Sequence, residues 1–217
     1  MKDLAFGIRQ QLQTQLPLFI FVFVLFAMGV LFGAFLVQAL TLEQKEEMSR
    51  HLGSFFQSVM LDEPGSGQGS AFLAAFSLHV KWLVLIWLLG LSVIGLPFVL
   101  LLDFLKGVLV GFTVGYLTGQ LSWKGLLVAM IAVLPQNLLV VPALMALSAA
   151  SVVFSFQLVK YRLLQHPGIG LKPAFGRYAR TAALAAAAVA FAALFEAYAS
   201  PYLLQWISPM AAAGLKG

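Results

Sequence analysis

An all-α, polytopic integral membrane protein with about five transmembrane helices is the architecture this sequence predicts, on three observations. Hydrophobic residues make up 61% of the 217 positions and charged residues only 10%, with a mean hydropathy of +0.96. A soluble domain is about half apolar and a quarter charged, so this chain has too few charges to cover a core in water. The apolar residues also gather into runs long enough to cross a bilayer core of roughly 30 Å. Finally, the polar residues fall in short segments between those runs.

Taken in order, residues 1–16 are polar. Pro17–Leu40 is uncharged and apolar, enough for the roughly 20 residues a span requires. It exceeds the roughly 7–15 residues of a signal-peptide core, so it reads as an uncleaved first span at 17–40. Segment 41–80 opens with Thr41 and Gln44 in capping-box spacing. Leu42, Met48, Leu52, Phe55, Phe56 and Val59 then recur at helical intervals, which predicts an amphipathic helix ending at the Asp62–Gly67 loop.

Apolar sequence from Ala71 to Gly119 holds two spans. The turn between them falls either at Gly95-Leu96-Pro97 or at Asp103–Lys106. The second placement gives spans at 81–101 and 105–120. It keeps His79, Lys81, Asp103 and Lys106 near the interfaces, where they escape the roughly 2.5–3.5 kcal/mol cost of a charge at mid-bilayer, and is preferred on that ground. A polar turn follows (Gln120, Ser122, Trp123, Lys124). The apolar stretch 125–158 is interrupted by Pro135-Gln136-Asn137 and by Pro142, so it reads as a short broken or re-entrant arm leading into a full span. Segment 159–180 is basic, with Lys160, Arg162, Lys172, Arg177 and Arg180 and no acidic residue. The Ala-rich run at 181–199 is the last span.

Charge sets the expected orientation. With the N-terminus inside, Lys2, Arg9, Lys106 and the five basic residues of 160–180 lie inside, against Lys45, Arg50, Lys81, Lys124 and Lys216 outside. The 1–16 and 159–180 segments are then cytoplasmic, and 41–80 and the C-terminus extracytoplasmic. The net charge of +5 is scattered, which suits contact with membrane lipid and not nucleic acid.

Four constellations carry the candidate sites. Gly107, Gly111, Gly115 and Gly119 repeat every four residues and share one helix face, and Gly29 with Gly33 forms a shorter pair. Such faces let helix backbones approach closely in lipid, either within one chain, the commoner use, or at a homodimer seam. Pro135, Gln136 and Asn137 place two amides at a helix break, where they serve either a kink, by satisfying a freed carbonyl, or a polar site on a broken helix. Glu196 ends the last span as an interfacial acid, or pairs with another helix. Asp103 and Lys106 have the spacing of an i, i+3 ion pair. His51, His79 and His166 lack metal-ligand spacing, and no nucleophile–base pair is present, so neither metal, cofactor nor catalysis is expected.

Several motifs resemble a known family. They are Gly29-Val30-Leu31-Phe32-Gly33-Ala34, Thr41-Leu42-Glu43-Gln44-Lys45-Glu46, Gly95-Leu96-Pro97, Phe104-Leu105-Lys106-Gly107, Val110 to Gly115, Val133 to Leu139, and Phe195-Glu196-Ala197-Tyr198 with Ser200-Pro201. Their order and spacing, over about residues 18–202, are similar to stage II sporulation protein M. That resemblance implies a non-enzymatic membrane scaffold without a cofactor. It would hold the peptidoglycan-remodelling stage II sporulation proteins D and P at the septum during forespore engulfment. Partners acting in the wall would meet an outward face, for which Leu42, Leu52, Phe55, Phe56 and Val59 are the candidate docking residues. The same face also suits a helix lying on the outer leaflet. A permease-like subunit working with a cytoplasmic ATPase is the alternative. It calls for ionisable residues deep in the spans.

Overall fold

The computed structural model describes residues 2–61, 68–163 and 171–203, without the side chains of 2–15, 55, 56, 58–61, 162, 163 and 171. Six α-helices follow one another: α1 (Lys2–Leu36), α2 (Leu42–Leu61), α3 (Gln68–Gly90), α4 (Leu96–Ala132), α5 (Leu134–Leu163) and α6 (Leu171–Tyr198), with a short 3₁₀ turn at Val37–Ala39. No strand occurs among the described residues. All but α2 are long and apolar enough to cross a membrane.

Helix α2 is the amphipathic element. Its start is closed by a reciprocal cap: the Thr41 backbone N–H donates to Gln44 Oε1 at 3.1 Å, and the Gln44 N–H donates to Thr41 Oγ1 at 3.3 Å. That satisfies two of the donors every helix start leaves free. The Tyr116 hydroxyl donates to the Lys45 carbonyl at 3.2 Å, and Leu52 packs against Leu117 and its neighbours. Helix α2 therefore lies across one end of the bundle, here called the α2 end. The opposite, basic end carries Lys160, Lys172, Arg177 and Arg180.

The connection between α3 and α4 departs from the expected spans. The chain turns at 91–95, not near 103, so 81–101 and 105–120 give way to α3 and the first part of α4. The turn is stitched by Ser92 N–H to the Leu89 carbonyl at 3.0 Å and Gly95 N–H to the Ser92 carbonyl at 3.1 Å. A Cβ on Gly95 would run into the Leu89 carbonyl, and Pro97 sits in the first turn of α4, where its missing N–H costs nothing. The consequence is that His79, Asp103 and Lys106 lie inside helices, not at interfaces.

A second reversal lies within α4. Ser122 has φ 51° and ψ −130°, a conformation that L side chains rarely adopt. Beyond it Gly125 lies against the Leu117 carbonyl and the Leu121 side chain. In a straight helix, residues eight apart are separated by about 12 Å, so the chain folds back at Ser122 within the expected polar turn. The arm 123–132 then runs beside the helix it came from and continues into α5. Val133 is not fully helical, with φ −104°, and Pro135 follows immediately. The expected 125–158 stretch is thus a short arm, a kink and a long helix. The last helix begins well before the expected 181.

The closest helix pair is α1 with α4. A methyl group on Gly29 would overlap the Phe104 carbonyl oxygen, and one on Gly33 the Val108 carbonyl. Conversely, Gly107 faces the Phe26 carbonyl, Gly111 the Val30 carbonyl and Gly115 the Ala34 Cα. The two glycine faces therefore meet each other within one chain, in parallel. Gly119 lies beyond the seam with open space around it.

Helix α5 is the centre of the bundle: 61% of its apolar window is buried, against 22–28% for the other four. Val140, Leu144, Leu147 and Phe154 pack there against Ala174, Tyr178, Ala185 and Val189. Alanine at 185, 192, 193 and 197 keeps α6 close. Outward, Phe21, Phe23, Met28, Phe35, Leu101 and Phe191 are more than half exposed. A belt of that kind is untenable in water and natural in hydrocarbon.

Leucine at Gly33 or Gly111 should separate α1 from α4 and cost at least about 1–3 kcal/mol by overpacking. Gly119→Leu should be nearly neutral. Thermal unfolding in detergent reads the contrast. Ser122→Gly should raise stability by about 1 kcal/mol by relieving the positive φ.

Candidate functional site

Polar side chains that the sequence scatters over four helices meet along one seam through the bundle. His79 lies at the midpoint of α3, roughly 16 Å from either end at 1.5 Å per residue. Its Nε2 is 3.1 Å from Glu196 Oε2 on α6. The His79 side chain is 6% exposed and that of Glu196 32%. Lys106 of α4 stands over the Trp82 ring, 5.7 Å from its centroid, and within coulombic reach of Glu196. Together these contacts offset the cost of charge in hydrocarbon that had favoured the interfacial placement.

Toward the basic end, Asp103 is buried and accepts a hydrogen bond from the Ser148 hydroxyl at 2.9 Å. No Asp103–Lys106 ion pair forms: the two residues turn to different partners. Ser151 follows one turn later on α5, with its hydroxyl 2.9 Å from that of Tyr178. Tyr178 in turn donates to the Trp87 carbonyl at 2.8 Å. Ser155 donates to the Gly90 carbonyl at 2.9 Å and reaches the Ser92 carbonyl at 3.4 Å, at the turn between α3 and α4. Ser148, Ser151 and Ser155 are fully buried.

At the other end the seam opens into a cavity of about 640 Å³, whose lining includes Ala75, Leu78, Thr113, Gln136, Glu196 and Ser200, with Leu52 of α2 beside them. The Gln136 amide donates to the Ala132 carbonyl at 3.2 Å, and that of Asn137 to the Val133 carbonyl at 2.8 Å. Both therefore brace the carbonyls beside the Pro135 kink, as amides at a helix break are suited to do. Their own side-chain oxygens, Gln136 Oε1 and Asn137 Oδ1, are buried without a partner. Gln136 faces the 640 Å³ cavity. Asn137 faces a separate apolar cavity of about 440 Å³, between Phe26, Val30, Val114, Met130 and Pro142.

Of the residues singled out from sequence, Glu196 and Gln136 therefore meet at one cavity, and the glycines lie along a different interface. Glu196 is an interhelical partner of His79, with its side chain about a third exposed. Leu42 is 81% exposed, whereas Leu52 turns inward onto the bundle. The candidate docking residues Phe55, Phe56 and Val59 belong to α2, but their side chains lie outside the described residues. Sequence reading missed the serines of α5. Their signal was the spacing of Ser148, Ser151 and Ser155, three and four residues apart on one helix face. Among the described residues, no group of three or more His, Asp or Glu is placed to hold a metal ion.

A double-mutant cycle on the His79–Glu196 pair tests the seam. Removing one partner strands the other in an apolar setting, so His79→Leu and Glu196→Leu should each lower the thermal midpoint. The double variant should be more stable than the sum of the singles predicts, with a coupling of about 1–3 kcal/mol.

No curated protein and no solved structure matches the chain. The family model described as stage II sporulation protein M matches residues 22–201, from the first span through the end of α6. With most of its length matched and five helices fit to cross a membrane, the chain belongs to the stage II sporulation protein M family and is a sporulation-related membrane protein.

Proposed function

We propose that this chain is a scaffold in the membrane of an endospore-forming bacterium, at the sporulation septum and engulfing membrane. There it gathers the peptidoglycan-remodelling stage II sporulation proteins D and P while the forespore is engulfed. The observation that carries this reading is the family match over residues 22–201. Among the described residues His79 pairs with Glu196, Asp103 with Ser148 and Ser151 with Tyr178, an arrangement that suits a part which leaves chemistry to its partners. The basic end is cytoplasmic on this reading, as the lysines and arginines at 160–180 favour. The α2 end and the C-terminus then face the wall. The exposed Leu42, with Phe55, Phe56 and Val59 on the same helix, offers the docking face.

A second reading, a permease-like subunit that works with a cytoplasmic ATPase, gains support from one observation. His79 and Asp103 are buried in the bundle, and Glu196, the partner of His79, lines a cavity at the α2 end. Buried ionisable groups of this kind are typical of ion and substrate pathways.

Co-purification from sporulating cells separates the two. The scaffold reading expects both wall proteins to accompany the full-length chain, and their recovery to fall several-fold with charged residues at Phe55 and Phe56. Recovery of an ATPase without either wall protein would overturn it. A reporter fused at Gly217 that is active only in the cytoplasm would overturn the orientation.

A further inference from the structure

We propose that the apolar cavity between α1, α4, the 123–132 arm and α5 is a lipid site. It holds one acyl chain of an anionic phospholipid, whose phosphate rests on Lys124 beside Trp123. The space is about 440 Å³, walled by Phe26 and Val30 of α1, Val110 and Val114 of α4, Met130 of the arm and Pro142 of α5. Asn137 is the one polar side chain in the lining, and its amide is already turned to the Val133 carbonyl. A bound water needs two to four polar partners, which this lining does not supply. A chain of methylenes needs none and packs against it.

Depth and mouth both fit such a chain. Val114 and Val110 lie roughly 12 and 18 Å along α4 from the reversal at Ser122. In a hydrocarbon core of roughly 30 Å, that is the inner part of the leaflet on the α2 side. Along the arm the lining runs from Leu126 to Val133, roughly 10 Å of helix. Phe23, Leu134 and Leu138 also line the cavity and are more than half exposed, so it opens sideways into the bilayer. One chain enters there, and a second chain stays among the surrounding lipid.

Charge selects the headgroup. Trp123, Leu126 and Met130 are three and four residues apart and share one face of the arm. Trp123, 79% exposed, therefore heads the stripe that lines the cavity, with Lys124 exposed beside it. Residues 10–42 and 107–159 contain a single charged side chain, Lys124. The walls thus offer a headgroup one cation and no acid. An indole at headgroup depth and an ammonium on the phosphate make an interfacial anchor. A zwitterionic head would bring its own ammonium toward Lys124, whereas an anionic head brings only negative charge.

The chain would also complete the packing of the arm. On its inner side, Val128 and Ala129 meet Leu117 and Leu121. On the side toward α1 the arm faces the cavity, and an acyl chain there bridges the two.

The test uses the purified full-length chain in phosphatidylcholine nanodiscs. They carry a small fraction of phosphatidylglycerol with a diazirine near the end of one acyl chain, and photolabelled peptides are mapped by mass spectrometry. Label at 126–134 should saturate and fall several-fold with unlabelled phosphatidylglycerol, but not with equal amounts of phosphatidylethanolamine or oleate. Label at Phe21 and Phe191, on the exposed belt, should instead rise in proportion to the probe. Val110→Phe, which fills the cavity, should cut the 126–134 label several-fold. Lys124→Gln, on an exposed side chain, should remove the preference for phosphatidylglycerol, and Lys81→Gln should change neither. Label at 126–134 that tracks Phe21 and Phe191 at every probe level is ordinary annular contact and would overturn the proposal. So would equal displacement by phosphatidylethanolamine or oleate, or wild-type labelling in both Val110→Phe and Lys124→Gln, each eluting from size exclusion as the parent does.

Discussion

The contact between α1 and α4 fixes the orientation of the element on which the rest of the bundle depends. Backbone meets backbone at Gly29, Gly33, Gly107 and Gly111, and a helix has only one rotation about its axis. Asp103 lies one turn before Gly107, so turning the glycines inward turns Asp103 inward as well. That carboxylate then has to find a donor within the protein, because lipid supplies none. Ser148 of α5 provides it. The seam of small residues and the seam of polar residues are thus two results of one packing decision.

Much of the fold was legible in the sequence because its signals are local. Run lengths disclose five spans, Thr41 and Gln44 disclose the start of α2, and the polar cluster around Ser122 discloses the second reversal. Pro135 discloses the kink. The misplaced turn shows where local reading ends. The cost of charge at mid-bilayer belongs to each residue singly, and each alone argues for the interface. His79 and Glu196 are 117 positions apart, and nothing near either residue reveals that they offset each other. Gly95 and Pro97 were visible, but their weight depended on a pairing that was not.

The candidate site follows the same division. Glu196 and Gln136 stood out individually, through an acid ending an apolar run and an amide beside a proline. Their convergence depends on how α5 and α6 cross the end of α4, which is a property of three helices together. The serines of α5 are a different case. Serine is common in membrane helices as a small packing residue, so a stripe of three draws attention only when its partners are in view.

The parallel pairing of α1 and α4 has a consequence for biosynthesis. The first helix enters the bilayer long before its partner exists, since α2 and α3 must be translated in between. At about 5–20 residues per second, this leaves a glycine-lined groove against acyl chains for something like ten seconds. During that interval the nascent chain has a vacant berth of the shape that small-residue helices seek. Timely arrival of α4, or shelter by the insertion machinery, then decides whether the chain closes on itself or on a neighbour.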